Sequence, residues 1–203
     1  MNTSVIYRSP WLYEGFLLLR YRGEYDARSR AIAELIPEGS SVVDVCCGPA
    51  TLYFRHLRYK RVSYTGLDIN RGFVERLSSR GVTGSIWDVS ADRPLPQADY
   101  LVMQGSLYHF LPDPYPVIDR MVAAAKQSVL LTEPVMNLAD SQNRLVSWLA
   151  RKLANPGTGD QPNRFRESTF EKLLDPYRAS GRLIDCYPIA AGRERLCVFR
   201  GGG

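Results

Sequence analysis

The chain has 203 residues, 45% hydrophobic and 23% charged, with 16 Gly and 13 Pro spread along its length. Such a chain makes one globular domain that buries about 70% of its unfolded surface, which excludes disordered, collagen-like and low-complexity classes. The 26 Lys+Arg against 21 Asp+Glu leave a net +5, and without a dense basic run this reads as a solvated surface, so no nucleic-acid partner is expected.

The chain does not open with a charged stretch, an apolar run and a small-residue cleavage site, and the apolar run at 15–19 is closed by Arg20 and Arg22. That is far short of the roughly 20 residues needed to span a bilayer, so no membrane span is expected. Cys46, Cys47, Cys186 and Cys197 do not form a disulfide framework, and a reducing, cytoplasmic setting is the expectation. Residues 11–36 carry apolar side chains at helical spacing (Leu12, Phe16, Leu19, then Ile32, Leu35, Ile36) and stop at Pro37-Glu-Gly39. One or two helices therefore precede the first strand, as a cap over residues 1–36.

Five short runs rich in β-branched residues follow, at 41–46, 63–69, 84–88, 99–104 and 128–133. Helical spacing occupies 50–59, 71–80 and 116–126, and 90–97, with two prolines, reads as a loop. This alternation predicts an α/β, Rossmann-like doubly wound sheet with helices on both faces. The first, fourth and fifth runs are nearly continuously apolar, as central parallel strands are. Further helices are expected at 138–154 and 167–178. The runs at 182–187 and 194–199 are joined by too few residues for a crossover, so they must pair as an antiparallel hairpin. A seven-stranded, mostly parallel sheet results, in a single domain over 1–203: a core from 37 to 203 with a helical insertion at 138–178.

Open α/β sheets bind ligands at the carboxyl ends of their strands. Strand one ends in Asp44-Val-Cys-Cys-Gly-Pro-Ala50, where Gly48 allows close backbone approach to a ligand and Cys46 and Pro49 complete the turn. Strand two ends in Asp68, 24 residues after Asp44 and followed by Ile69; a carboxylate there can accept both hydroxyls of a ribose. Strand three ends in Trp87-Asp88, an acceptor for an exocyclic amine beside a flat apolar ring. Acids at three successive tips suit an adenosine with a charged amine at its far end. Asp44 has two readings: it orients that amine, directly or through water, or it ties down the backbone N–H groups of the loop.

In this ordered set the sequence resembles the class I S-adenosylmethionine-dependent methyltransferases. Their glycine loop is similar to 43–50, their ribose acid to Leu67-Asp68-Ile69 and their adenine acid to Asp88. The run from Ala98 through Leu107-Tyr-His-Phe110 to Pro112-Asp113 is similar to the family's fourth-strand region, and Glu133-Pro134 and the terminal hairpin also fit. The resemblance covers roughly 37–199. It implies S-adenosylmethionine as cofactor, S-adenosylhomocysteine as product and a small-molecule methyl acceptor. Gln104 and Gly105 would line the space around the methyl group. Tyr25 or Arg28 would meet the cofactor carboxylate. His109, beside Tyr108, would act as a general base poised near neutral pH if the acceptor is a hydroxyl or an acidic carbon, or else cap the following helix or pack as a neutral ring.

The departures are specific. Cys46 and Ala50 stand where the family has glycines, on the expectation that neither position needs positive φ, and 125–128 replaces a Gly-Gly turn as a shortened connection. His56 is expected on a solvated helix face, and no metal site is expected at the adjacent Cys46 and Cys47. A nicotinamide-dependent dehydrogenase and a non-catalytic methyltransferase-like binding protein remain alternatives. The dehydrogenase would need a Gly-x-Gly-x-x-Gly loop that 46–50 does not supply.

Overall fold

The computed structural model describes residues 25–135 and 164–203. The expected helix at 138–154, most of the insertion and the cap aromatics Tyr7, Trp11, Tyr13, Phe16 and Tyr21 lie outside them. Helix α1 (Tyr25–Leu35) leads into β1 (Ser41–Val45), α2 (Thr51–Arg55), a 3₁₀ turn (Leu57–Tyr59) and β2 (Ser63–Asp68). Then come α3 (Arg71–Ser78), β3 (Thr83–Ile86), β4 (Ala98–Gln104), a second 3₁₀ turn (Leu107–Phe110), α4 (Tyr115–Ala124) and β5 (Ala125–Pro134). Helix α5 (Glu167–Ala179) precedes the hairpin β6 (Leu183–Ile189) and β7 (Glu194–Arg200).

The seven strands pair in the order β3-β2-β1-β4-β5-β7-β6. All neighbouring pairs from β3 to β5 are parallel, whereas β7 is antiparallel to both β5 and β6. After β3 the chain returns past β1 to form β4, so connections leave β1 and β4 in opposite directions. Their tips bound the crevice where such sheets take ligands.

Alternation along the strands divides the core into two layers. Val42, Val102, Leu130 and Leu196 face one side with Ile32 and Ile36 of α1 and Leu52 of α2. Val43, Leu101, Met103, Leu131 and Phe199 face the other, covered by Ile118 and Met121 of α4 and by Phe170 and Leu174 of α5. Among the described residues no helix is long and apolar enough to cross a membrane.

Three sequence expectations need correction. The helix expected over 50–59 is two pieces, broken at His56, whose backbone leaves the helical region at φ −124° and ψ −49°. Nor does His56 sit on a solvated face: its ring is largely covered and its Nε2 lies 2.8 Å from Asp26 Oδ1 of α1, tying the cap to the first crossover. Residues 125–128 are not a connection either. Strand β5 starts at Ala125, where α4 stops, and Ala125 already pairs with Ala98.

Cys186 and Cys197 are opposite partners on β6 and β7, both free thiols, with sulfurs 2.8 Å apart. Gly66 is where close approach decides the residue type. A Cβ there would lie 2.7 Å from Leu77 Cδ1 and 2.9 Å from Cys47 Sγ, so any larger residue on β2 must displace one or both side chains. Gly66→Ala overpacks this contact and should cost about 1–3 kcal/mol, read as a lower denaturation midpoint at unchanged m-value; an unchanged midpoint would show that the contact is slack.

Candidate functional site

The loop from β1 to α2 holds three left-handed residues in alternation, Cys46 at φ +58°, Gly48 at +54° and Ala50 at +54°. The expectation that Cys46 and Ala50 avoid positive φ is therefore overturned. For a residue with a Cβ this conformation costs roughly 1–2 kcal/mol, so the surroundings must enforce it. Cys47 N–H donates to Leu67 O at 3.0 Å, Ala50 N–H to Cys47 O at 2.9 Å, and Gly48 N–H to Asp68 Oδ2 at 2.8 Å. Pro49 is buried within the turn. The adjacent cysteines part company, Cys47 lying in the layer under α1 and α2 and Cys46 against the opposite one. Burial raises both thiol pKa values, as do the nearby acids, so both are protonated. Gly48 borders open space: a Cβ there would meet nothing within 4 Å.

Asp44 is 1% exposed. Its Oδ2 accepts from Tyr64 Oη at 2.8 Å, and its Oδ1 has no hydrogen-bond partner. Burial pushes its pKa up to about 7 against the Tyr64 hydrogen bond, with Asp68 adding to the rise. Tying the loop down falls instead to Asp68, which accepts from Gly48 N–H and, through Oδ1, from Asn70 N–H at 2.8 Å. Burial raises the Asp68 pKa while these backbone donors oppose the rise.

Beyond Asp68 the surface is partly apolar. Ile69 is 65% exposed and Trp87 is half-buried under the Arg93 guanidinium, 3.5 Å from the ring centre. Strand β3 ends at Ile86, so Trp87 and Asp88 lie just past its tip. Trp87 N–H donates to Asp68 O at 2.9 Å, which brings the two tips together. Asp88 is exposed and accepts from Ser90 N–H at 2.8 Å.

At the tip of β4, Gln104 Oε1 accepts from Ser29 Oγ at 3.3 Å, and Gly105 takes φ +57°. Arg28 lies against Gly105, where a Cβ would come within 2.9 Å of its Nη1. The Arg28 Nε and Nη2 donate to the fully buried Glu194 carboxylate. The expected carboxylate-meeting cation is thus already paired with a carboxylate of the chain. Tyr25 begins α1, and its side chain is outside the described set.

Sequence reasoning passed over several of these groups. Glu133 is fully buried on β5, its Oε2 accepting from Leu107 N–H at 3.0 Å and its Oε1 without a partner. Burial pushes its pKa up to about 8 despite the field of Arg164. Its sequence signal matches that of Asp44 and Asp68, an acid closing an apolar run, but only the Glu-Pro pair drew notice. Tyr64, Ser29, Glu194 and Arg164 gave no signal, because their roles depend on contacts distant in sequence. Tyr108 and His109 share the second 3₁₀ turn with ring centres 3.9 Å apart, and the Arg164 guanidinium lies 3.5 Å from the Tyr108 centre. Burial and then Arg164 lower the His109 pKa to about 4, so it is not poised near neutrality.

Asp44 and Glu133 have folded pKa values of about 7 and about 8 against 3.8 and 4.5. The folded chain therefore holds more protons than the unfolded one from about pH 4 to 8, and stability is lost as pH rises through that window. His109 acts oppositely between about 4 and 6.5, gaining stability as pH rises, so the acids dominate above 6.5. The unfolding temperature should fall between pH 6.5 and 8, and Asp44→Asn and Glu133→Gln should each flatten the fall. A flat wild-type profile would refute the buried-acid assignment.

Residues 18–177 match the family model described as a methyltransferase domain. No curated protein sequence matches the chain. Among solved structures, a chain of the complex between the Haloferax volcanii Trm112 methyltransferase activator and a methyltransferase aligns over 100% of both chains, at 11% identity and TM-score 0.67. Human N-acetylserotonin methyltransferase in complex with SAM aligns over 98% of this chain and 58% of its own, at 16% identity and TM-score 0.62. A TehB-like SAM-dependent methyltransferase from Corynebacterium glutamicum aligns over 95% and 100%, at 14% identity and TM-score 0.58. At these identities the structural likeness speaks for the fold.

Proposed function

The chain belongs to the methyltransferase-domain family, and from that premise we propose that it transfers a methyl group from S-adenosylmethionine to a small-molecule acceptor. The observation that carries the reading is the loop at 46–50. Its three left-handed positions persist where two of the three residues carry a Cβ, and strain of this kind survives where the backbone course itself is needed. The open space at Gly48 and the unpartnered Oδ1 of Asp44 suit a ligand with a compact chain and a cationic amine.

The residues present fit the cofactor. Asp44 would orient the amine, directly or through water, and the 46–50 backbone would pass the amino-acid portion. Asp68 spends one acceptor direction of each oxygen on the chain, and a carboxylate oxygen has two, which leaves one on each for a ribose hydroxyl. Ile69 and Trp87 would pack on the adenine, and Asp88 would accept from its amine. Gln104 and Gly105 would face the reacting end.

When bound, S-adenosylmethionine supplies a methyl group already activated on a sulfonium sulfur. The work left to the chain is to align the acceptor and exclude water. Tyr108 and His109 are our candidates for that positioning. His109, unprotonated at neutral pH, is a hydrogen-bond acceptor for a hydroxyl or amine rather than a strong base.

Saturating S-adenosylhomocysteine should raise the unfolding temperature by mass action, and Asp68→Ala should abolish the rise. Its affinity should also tighten from pH 6 toward 8 as Asp44 loses its proton, by up to about tenfold per pH unit below that pKa, and Asp44→Asn should remove the dependence. No shift at saturation would favour a non-catalytic binding protein, and a shift with NAD instead would favour a dehydrogenase. Incubation with S-adenosylmethionine and a metabolite extract, followed by mass spectrometry for products gaining CH₂, tests the acceptor class.

A further inference from the structure

A cavity of about 360 Å³ opens between the segment that follows the second 3₁₀ turn and the first half of α5. That volume lies at the lower end of the range for small-molecule sites. Leu111, Pro112, Phe165 and Leu173 make its walls apolar, and two cations, Arg164 and Lys172, stand at it. Arg164 links the cavity to the proposed methyl-transfer site: it lines the cavity, stacks on Tyr108 of the second 3₁₀ turn, and its charge acts on Glu133 at the end of β5.

Arg164 is held in place by stacking on Tyr108. Stacking occupies a face of the guanidinium, whereas its N–H donors radiate in the plane and suit the paired oxygens of a carboxylate. Among the described residues neither Arg164 nor Lys172 makes an ion pair. The acid within the field of Arg164, Glu133, is fully buried, disfavoured as a charge by that burial, and bonded through Oε2 to Leu107 N–H rather than to Arg164. The wall is apolar, the charge is positive, and among the described residues no carboxylate is paired with either cation.

We propose that this cavity binds the carboxylate end of the methyl acceptor, a small organic acid whose apolar body packs on Leu111, Pro112, Phe165 and Leu173 and whose anionic group is met by Arg164 and Lys172. The assignment rests on the methyl-transfer reading of the neighbouring strand tips, and it narrows the acceptor class from small molecules to carboxylic acids.

The test compares 2-naphthoate with its neutral isostere 2-naphthamide by ligand-observed NMR titration, with S-adenosylhomocysteine binding followed by calorimetry on the same sample. The acid should bind at least tenfold tighter than the amide. Arg164→Gln should weaken the acid about tenfold without changing the amide. Lys172→Glu, on an exposed helix position that tolerates substitution, should weaken the acid further. Equal binding of acid and amide, binding of neither, or an acid preference unchanged in both variants would overturn the proposal. If these results came with intact S-adenosylhomocysteine binding, only the acceptor assignment would fall. An acid preference in a protein that binds no S-adenosylhomocysteine would overturn the acceptor role and the methyl-transfer reading together.

Discussion

The hydrogen bond from Gly48 N–H to Asp68 Oδ2 fastens the loop after β1 to the tip of β2, and the geometry of the site follows from it. The loop carries left-handed backbone at Cys46 and Ala50, where side chains resist it, so it needs an anchor outside its own sequence. Asp68 supplies that anchor and holds Asn70 N–H with its other oxygen, fixing the start of α3 with the same carboxylate. One buried acid thus sets the spacing between the crossovers that follow β1 and β2. A charge-assisted bond to a backbone N–H is stronger than a neutral one, which suits a contact that must outweigh backbone strain. The division of labour between Asp44 and Asp68 follows: the acid inside β1 is relieved of tying the loop and keeps Oδ1 unpartnered.

The remaining buried polar groups gather at the same end of the sheet. Asp44, Asp68, Glu133 and Glu194 are all buried near the carboxyl ends of β1, β2 and β5 or at the start of the antiparallel β7. Burying acids without full hydrogen bonding is costly, and the chain offsets that cost unevenly. Glu194 receives Arg28 and Asp68 receives two backbone donors, whereas Asp44 and Glu133 each keep an oxygen without a partner. The two incompletely satisfied acids are also those pushed to about 7 and about 8. Protonation is the relief available to them in this state, which makes the strand ends responsive to pH and to any cation placed beside Asp44.

How much of this the sequence discloses depends on whether the determining contact is local. Strand periodicity and the short link between the last two runs were enough for the seven-stranded topology and the hairpin, because both are properties of neighbouring residues. Asp44, Asp68 and Asp88 could be placed at strand tips for the same reason. The break at His56 could not, because the residue that captures its ring is Asp26, thirty positions earlier. Arg28 looked like a cation available to a ligand, since nothing in its neighbourhood points to Glu194, 166 residues away. Ala125 was read as connection because a helix that becomes a strand without a turn leaves no Gly or Pro signal. In the 46–50 loop, residue type pointed one way and tertiary anchoring the other: Cys46 and Ala50 argue against left-handed backbone, and the bonds to Leu67 and Asp68 impose it.

That loop also explains why Cys46 can stand where glycine would be easier. A glycine at 46 would remove the Cβ strain but also the contact Cys46 makes with the layer under α4 and α5, and its greater freedom in the unfolded chain would offset part of the gain. Cys47 is constrained from the other side, since its sulfur fills the space that Gly66 leaves open on β2. The pair therefore acts as two small apolar wedges pointing to opposite layers, which locks the loop between the two cores. Packing takes over the role that glycine flexibility plays elsewhere, and the crevice beside Gly48 is kept open by side chains that never enter it.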